Sequence, residues 1–557
     1  MTRNSELNVS VGQYLLDRLY SHGVKHIFGI PGDYILKFDK LIEKHESITF
    51  IGATRENTAG YMADAYARNL GLGVACITYG VGINIVNSMA QALVESVPLV
   101  IISGAAGINE FIRSNQLHHL INSSHTKNHD SSQLEIFKKI SIAQAVLHNP
   151  KTAPSEIDRV LDLCLLHKKP VYIELPRNIV DQPIEKNYKY VPLIKQPSNP
   201  KALNQAIMET STLLKECKQP VIWLGHEINR LHLTDTFLKF AEKFHIPICS
   251  SLLGKSAISE QNPLFIGIYQ GELSSDSVKK YVDSSDCIIS LGTILSDVDT
   301  GIFTATFNQK SQIFASQNDI SINKTSFNDI DFGDYIAELA KIPCTKKFEN
   351  QFVHAFSKKT EKFVPQKEKK ITSKRVFECI ESHLKFGDII VTDIGDSLFG
   401  SSDFIVDRGC FISCAYFASL GFGTPATVAT QLAKPSKRVI GIIGDGAFQM
   451  TCTELSTAVH YQINPIIIVL NNHGYGTERP IIEGNYNDVL DWDYTALTKV
   501  FKGGIGIEIQ TEDQLDSALN IALNDANNMY IIEIELDKLD FSPNLERFTK
   551  LVNKAKN

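Results

Sequence analysis

Two uninterrupted apolar runs constrain the fold of this chain most. Residues 439–443 read Val-Ile-Gly-Ile-Ile, and residues 465–470 read Pro-Ile-Ile-Ile-Val-Leu. Runs this short, with no polar alternation, suit strands buried on both faces, as in parallel sheets covered by helices. The spacing predicts one helix between them, at 452–461, and so a strand, helix and parallel strand unit. Each run ends in turn-forming residues. Gly444-Asp445-Gly446-Ala447 follows the first and Asn471-Asn472-His473-Gly474 the second. Both turns then lie at the carboxyl ends of neighbouring strands, the edge along which open α/β sheets bind ligands.

The same alternation runs through the whole chain. Apolar runs at 74–78, 99–103 and 171–174 read as strands, with helical spacing at 11–22 and 157–166. Further strands are expected at 221–224, 246–250 and 287–291, then at 389–392 and 530–535. Proline and charge mark two linkers, 181–200 and 341–373. The 557 residues therefore divide into domains at 1–185, 198–342 and 370–557, each α/β with a mostly parallel sheet flanked by helices. The central domain is Rossmann-like, but only Gly225 follows its first strand, and the Gly-x-Gly-x-x-Gly fingerprint is absent. No nicotinamide or flavin is expected there.

Composition narrows the function classes. The formal charge is −7, from 55 basic and 62 acidic side chains, so no global basic field gathers nucleic acid. No apolar stretch approaches a membrane span, and the amino terminus lacks the pattern of a secretory signal. Neither nucleic acid nor membrane is an expected partner. The ten cysteines are scattered, without CxxC spacing, and Cys410 and Cys414 have no neighbours in sequence to complete a zinc site. Buried, reduced thiols in a cytoplasmic protein are the expectation.

The two turns carry the residue types that hold a diphosphate through a hard divalent cation. Such an ion takes oxygen ligands: the Asp445 carboxylate, the Asn472 amide and a backbone carbonyl at His473 or Gly474. Gly446 permits close backbone approach, and a helix beginning after Ala447 favours an anion. Gly-Asp-Gly or Asn-Asn alone is an ordinary turn; the pair in this order is specific.

This pattern resembles the thiamin diphosphate signature. Other segments extend the resemblance over essentially the whole chain: Ile30-Pro31-Gly32-Asp33-Tyr34, Arg55-Glu56-Asn57, His118-His119, Gly395-Asp396-Ser397, and Asn472-His473-Gly474-Tyr475-Gly476-Thr477-Glu478. The chain is most similar to the pyruvate, indolepyruvate and phenylpyruvate decarboxylase branch of the 2-oxo acid decarboxylases. The resemblance implies thiamin diphosphate and Mg²⁺ as cofactors, with Asp445, Asn472 and Gly474 as metal ligands. It implies Glu56 as the activating carboxylate, and Asp33, His118, His119 and Glu478 as proton-transfer groups. Adjacent histidines on a regular element point apart, so one would contact substrate and the other orient it. Cofactor contacts are implied for Gly395, Asp396, Ser397, Ala418, Leu420, Gly444, Gly446, Ala447 and Tyr475. Leu398, Thr477 and Ile481 would line the substrate pocket, leaving room for a longer aliphatic or aromatic 2-oxo acid. Simple core packing is the competing reading for Leu398 and Thr477, and helix-terminal placement for Glu56; for Leu420, apolar packing and cofactor contact coincide.

Two departures from the family pattern stand out: Ile394 before the Gly-Asp-Ser loop, and the small pair Gly476-Thr477. Neither removes a catalytic group. A homodimer is the least active unit implied, and a homotetramer the expected assembly. An acetolactate synthase-like carboligase on the same fold is the nearest rival. A catalytically silent thiamin diphosphate binder is the rival from another class.

Overall fold

The computed structural model describes residues 9–110, 117–121, 131–307, 311–349, 351–355 and 362–556. The expected linker at 341–373 therefore falls partly outside the described residues. By its internal contacts the chain forms two compact units. The first comprises Met1–Lys195 with Val428–Lys434 and Thr453–Tyr461, and the second the remainder.

The first unit is built on six parallel strands: β1 (His26–Gly29), β2 (Thr49–Gly52), β3 (Gly73–Ile77), β4 (Leu99–Ala105), β5 (Ala143–Val146) and β6 (Val171–Pro176). Their order is β2-β1-β3-β4-β6-β5. β3, β4 and β6 are buried at every position, which is why apolar residues dominate them. The helix Val11–Ser21 starts where Ser10 Oγ accepts the Gln13 amide at 3.2 Å. The first expected linker is tied down over much of its length. Val11 N–H donates to the Gln182 carbonyl, and the Tyr188 and Tyr190 hydroxyls donate to Asp158 and Asp162.

The second unit holds two sheets. Seven strands form one: β7 (Pro220–Leu224), β8 (Ile248–Ser250), β9 (Phe265–Ile268), β10 (Cys287–Leu291), β11 (Ser311–Ala315), β12 (Ile320–Ile322) and β13 (Thr325–Phe327). Their order is β13-β12-β11-β10-β7-β8-β9, with β12 and β13 running antiparallel at one edge. This sheet is thus mixed, with its core strands parallel. Gly225 has a packing reason: a Cβ there would stand 1.9 Å from the Gly292 carbonyl oxygen. The other sheet contains β14 (Ile389–Thr392), β15 (Phe411–Ile412), β16 (Val439–Gly444), β17 (Ile466–Asn471), β18 (Ile505–Ile509) and β19 (Tyr530–Glu535). It is entirely parallel, in the order β15-β14-β16-β17-β19-β18. The fold is therefore three domains, each on a mostly parallel sheet.

One sequence expectation is corrected here. No single helix spans 452–461. A helix occupies Asp445–Thr451, a 3-10 turn follows at Cys452–Glu454, and a second helix runs Leu455–His460. Gly444 caps the first helix in an extended conformation, so the helix begins at Asp445 itself. Gly446, a poor helix former, is tolerated because the Tyr475 ring fills the space over it.

Candidate active site

In the second unit, β16 and β17 pair in parallel, with Gly444 opposite Leu470. The turns after them meet as the sequence anticipates. Asp445 is fully buried; Oδ1 accepts the Gly446 amide at 2.7 Å and Oδ2 the Gly474 amide at 2.8 Å. The Asn472 carboxamide oxygen lies 3.3 Å from Asp445 Oδ1 and 2.9 Å from the Gly474 carbonyl oxygen; turned over, its nitrogen would donate to both. Three oxygens converging without a donor between them are the ligand set of a hard cation. Burial pushes the Asp445 carboxyl up to about 7 despite these amides, and a cation between the oxygens would hold it ionised. The residues present thus fit Mg²⁺.

Asn471 is not part of this set. Its Nδ2 donates to Glu533 Oε1 at 2.9 Å, deep in the sheet. A Cβ at Gly444 would meet nothing within 4 Å, so the backbone there faces open space, as an approaching ligand requires. Gly446 differs: a Cβ there would stand 2.7 Å from the Tyr475 ring. Its lack of a side chain makes room for that ring. Ala447 is buried one turn into the helix.

The Gly395-Asp396-Ser397 loop opens the short helix Asp396–Ser401, with Gly395 at φ +96°. Asp396 Oδ2 accepts Ser373 Oγ at 2.7 Å and the Ser542 amide at 2.9 Å. Ser397 Oγ donates to the Asp393 carbonyl at 3.1 Å. Ser397 Oγ and Asp396 Oδ2 are thus committed to the protein, whereas Asp396 Oδ1 is buried without a hydrogen-bond partner. Asp393, which the sequence reading passed over, is the buried anchor here. Its carboxylate accepts the amides of Ile394, Gly421 and Gly423. It fixes the segment bearing Ala418, at φ +59°, and Leu420. Leu420 is 37 % exposed, so core packing does not explain it. Leu398 is buried, and Thr477 Oγ1 lies 3.1 Å from the Cβ position of Gly395, bringing the two expected pocket segments together. Glu478 is exposed, and its carbonyl accepts the amides of Ile481 and Ile482 at 2.9 Å. Arg479, also missed, is fully buried and donates to the His473 carbonyl at 2.9 Å and Asp488 at 2.6 Å, clamping this turn.

The first unit assembles a second cluster at the carboxyl ends of β1 and β6. His119 has φ +68°, so the pair is not on a regular element. The two imidazoles accordingly do not point apart: their centroids are 4.4 Å apart. His118 stacks on the buried Tyr34 ring at 5.2 Å, and Tyr34 Oη donates to the His118 carbonyl at 3.0 Å. His118 Nε2 lies 3.2 Å from Asp33 Oδ2. Nitrogen atoms of both histidines and an Asp33 oxygen fall within 4.8 Å of one another. Arg177, immediately after β6, reaches the same Asp33 oxygen at 3.3 Å and Glu110 at 2.6 Å, with its guanidinium over Tyr34. Nothing in its sequence position pointed to Arg177 or Glu110, since their partners are remote in the chain.

Glu56 is the first residue of the helix Glu56–Leu70, so its helix-terminal placement is real. Its Oε2 accepts Asn84 Nδ2 at 3.1 Å. Asn84 belongs to the 3-10 turn Val81–Ile85, which follows Gly80.

Three family models match the chain in order. They are described as the N-terminal TPP binding domain, central domain and C-terminal TPP binding domain of the thiamine pyrophosphate enzymes, and cover residues 9–126, 207–339 and 393–534. The chain belongs to the thiamine pyrophosphate enzymes. Its cofactor is therefore thiamin diphosphate. Among curated relatives it is 30 % identical to "Alpha-keto-acid decarboxylase" of Mycobacterium tuberculosis (strain ATCC 25618 / H37Rv) over 537 residues, 95 % of each chain. It is 30 % identical to "Indole-3-pyruvate decarboxylase" of Azospirillum brasilense over 553 residues, 97 % of this chain and 98 % of that one. In this thiamine pyrophosphate enzyme the oxygen set at Asp445, Asn472 and Gly474 lies within the C-terminal binding domain, and Glu56 and the Asp33 cluster within the N-terminal one.

Proposed function

We propose that this chain catalyses the non-oxidative decarboxylation of a 2-oxo acid to an aldehyde and CO₂. The Asp33, His118 and His119 cluster carries the reading: a thiamin diphosphate enzyme with two imidazoles and a carboxylate gathered on one spot is equipped to move protons. When bound, thiamin diphosphate would supply a nucleophilic carbon and an electron sink for decarboxylation. Asp445 Oδ1, Asn472 Oδ1 and the Gly474 carbonyl would hold Mg²⁺ for the diphosphate. Glu56, steadied at Oε2 by Asn84, would accept a hydrogen bond from the aminopyrimidine ring. His118 and His119 would exchange protons with substrate, while Asp33 and Arg177 hold the His118 ring in place. Glu478 would serve as a further proton-transfer group, and Leu398, Thr477 and Ile481 would select the side chain.

The domains then serve as aminopyrimidine half (1–185), central domain (198–342) and diphosphate half (370–557). A homodimer is the least active unit and a homotetramer the expected assembly. Ten scattered cysteines without paired spacing suit a reducing, cytoplasmic location. No described helix is long and apolar enough to cross a membrane. Indolepyruvate, phenylpyruvate or pyruvate is the substrate class, with the small Thr477 favouring a bulky side chain. Aldehyde release from pyruvate, 2-oxoisovalerate, phenylpyruvate and indolepyruvate, for wild type and Glu56→Gln, tests this. Cofactor-dependent aldehyde that collapses in the variant supports it. Tight cofactor binding with no aldehyde from any of the four overturns it.

A further inference from the structure

Away from the ends of the sheets, one cluster of side chains has the composition of a soft-metal site. The helix Ser373–His383 carries Cys379 and His383, four residues apart and so on one face. The helix Glu512–Asn524 packs against it and carries Asp516. One donor atom from each residue falls within 4.8 Å of the other two. His383 Nε2 stands 3.3 Å from Asp516 Oδ1. Cys379 Sγ stands 3.9 Å from Nδ1, the other ring nitrogen, so the thiol must turn about χ1 toward Nε2 to complete the set. Bonds of about 2.0 Å to nitrogen and oxygen in a tetrahedral zinc site put those ligands about 3.3 Å apart.

The hydrogen bonds around His383 fix which nitrogen is free. Nδ1 lies 2.9 Å from the Cys379 carbonyl oxygen, which can only accept, so Nδ1 carries hydrogen. In the neutral ring Nε2 is then an acceptor, and it faces a carboxylate oxygen that is also an acceptor. Something positive belongs between them, a proton or a metal ion. A proton accounts for His383 and Asp516 alone. A metal ion would also engage the thiol, whose sulfur belongs to the same group of three donors. An Nδ1–H donated to a backbone carbonyl is the usual way a protein orients a ligating Nε2. Cys379 is fully buried, while the side chains of His383 and Asp516 are 13 % and 28 % exposed, so an ion and one water can enter from the rim.

We propose that Cys379, His383 and Asp516 bind a zinc ion or similar borderline-soft divalent cation, with water as the fourth ligand. On binding, the Cys379 S–H bond breaks, its proton passes to solvent and the sulfur donates to the metal. The thiolate and the carboxylate together balance the two positive charges. The ion would tie the two helices together. The first of them begins at Ser373, whose amide holds Asp540 and whose hydroxyl holds Asp396. The proposal stands apart from the decarboxylase reading.

Cobalt is the probe, because a Co²⁺–thiolate bond absorbs in the near ultraviolet, whereas Co²⁺ at the all-oxygen set of Asp445 does not. The full chain is titrated with Co²⁺ in excess Mg²⁺. One equivalent should produce the thiolate band with intense visible bands of tetrahedral cobalt, and Zn²⁺ should bleach both. The signal should vanish in Cys379→Ser and in the rim variant His383→Gln, and persist in Cys344→Ser, which removes the exposed cysteine. Zn²⁺ should raise the Tm of wild type, and bind about tenfold or more weaker to Asp516→Asn. A missing band at saturating Co²⁺, an unchanged band in Cys379→Ser, or loss only in Cys344→Ser overturns the proposal. So does equal Zn²⁺ affinity in Asp516→Asn and wild type. Circular dichroism checks that each variant is folded.

Discussion

Gly474→Ala would disturb the candidate metal set without touching a side chain in it. The residue has φ +142°, and a Cβ there would stand 1.9 Å from the Asn487 carbonyl oxygen and 2.9 Å from Arg479 Nη2. Ordinary contact at 3.4 Å requires a displacement of about 1.5 Å, and the near atom is backbone. The Asn487 carbonyl accepts the Tyr475 amide at 2.8 Å, so that bond breaks, at a cost of about 1 kcal/mol. Left-handed backbone for a non-glycine residue adds about 1–2 kcal/mol. The Gly474 amide bonds Asp445, and its carbonyl is the third oxygen beside Asn472, so both shift with the chain. A misplacement near 1 Å at a binding group costs about 10²-fold. The expected result is a domain destabilised by about 2–3 kcal/mol with cofactor affinity down at least about tenfold. Calorimetric titration of thiamin diphosphate in the presence of Mg²⁺, with thermal melts, reads both. Gly409→Ala is the control: φ is +72° but nothing lies within 4 Å, so it should lose stability and keep affinity. Wild-type cofactor affinity in Gly474→Ala would refute the reasoning.

Glu56→Gln keeps an acceptor for Asn84 but loses the charge. Turnover should fall by about 10²-fold or more with cofactor affinity retained, read by single-turnover aldehyde release. Gly80→Ala places a methyl 2.0 Å from the His119 carbonyl oxygen, at φ +75°. It should displace the histidine pair and lower kcat by about tenfold or more, with cofactor binding intact. Thr477→Phe should lower kcat/KM for indolepyruvate relative to pyruvate by about tenfold or more; an unchanged ratio removes Thr477 from the pocket. Burial pushes the Asp39 carboxyl from 3.8 to about 7, and Oδ2 has no partner. Because the folded value is raised, its contribution to stability is complete below about pH 4 and is lost as pH rises through 7. Asp39→Asn should therefore gain about 2–4 kcal/mol over wild type at pH 8 and much less at pH 4, measured by urea unfolding; equal stability at pH 8 would count against a buried charge there.

Strands buried on both faces were readable because burial leaves few polar positions. β10, β14 and β19 match the sequence reading to the residue. Short or edge strands were not. β2 and β18 carry exposed positions, and their sequences resemble loops. The antiparallel edge at β12 and β13 has only three residues per strand, too few for a pattern. The oxygen set at Asp445, Asn472 and Gly474 was legible because two neighbouring strands end in it, a local consequence of one strand–helix–strand unit.

By itself, the sequence determined the three mostly parallel sheets, the meeting of the two turns and the family. Each rests on local pattern: apolar runs, their spacing, and turn residues at their ends. Only the tertiary structure decided how side chains distant in the chain share a point. The positive φ of His119 turned an adjacent pair into a joined one, and Arg177 reached Asp33 across the sheet. Tyr475 took the space over Gly446, and Asp516 came to lie near a cysteine and a histidine on another helix. These placements depend on how helices and loops pack, which is a sum of many weak contacts that no short stretch of sequence contains.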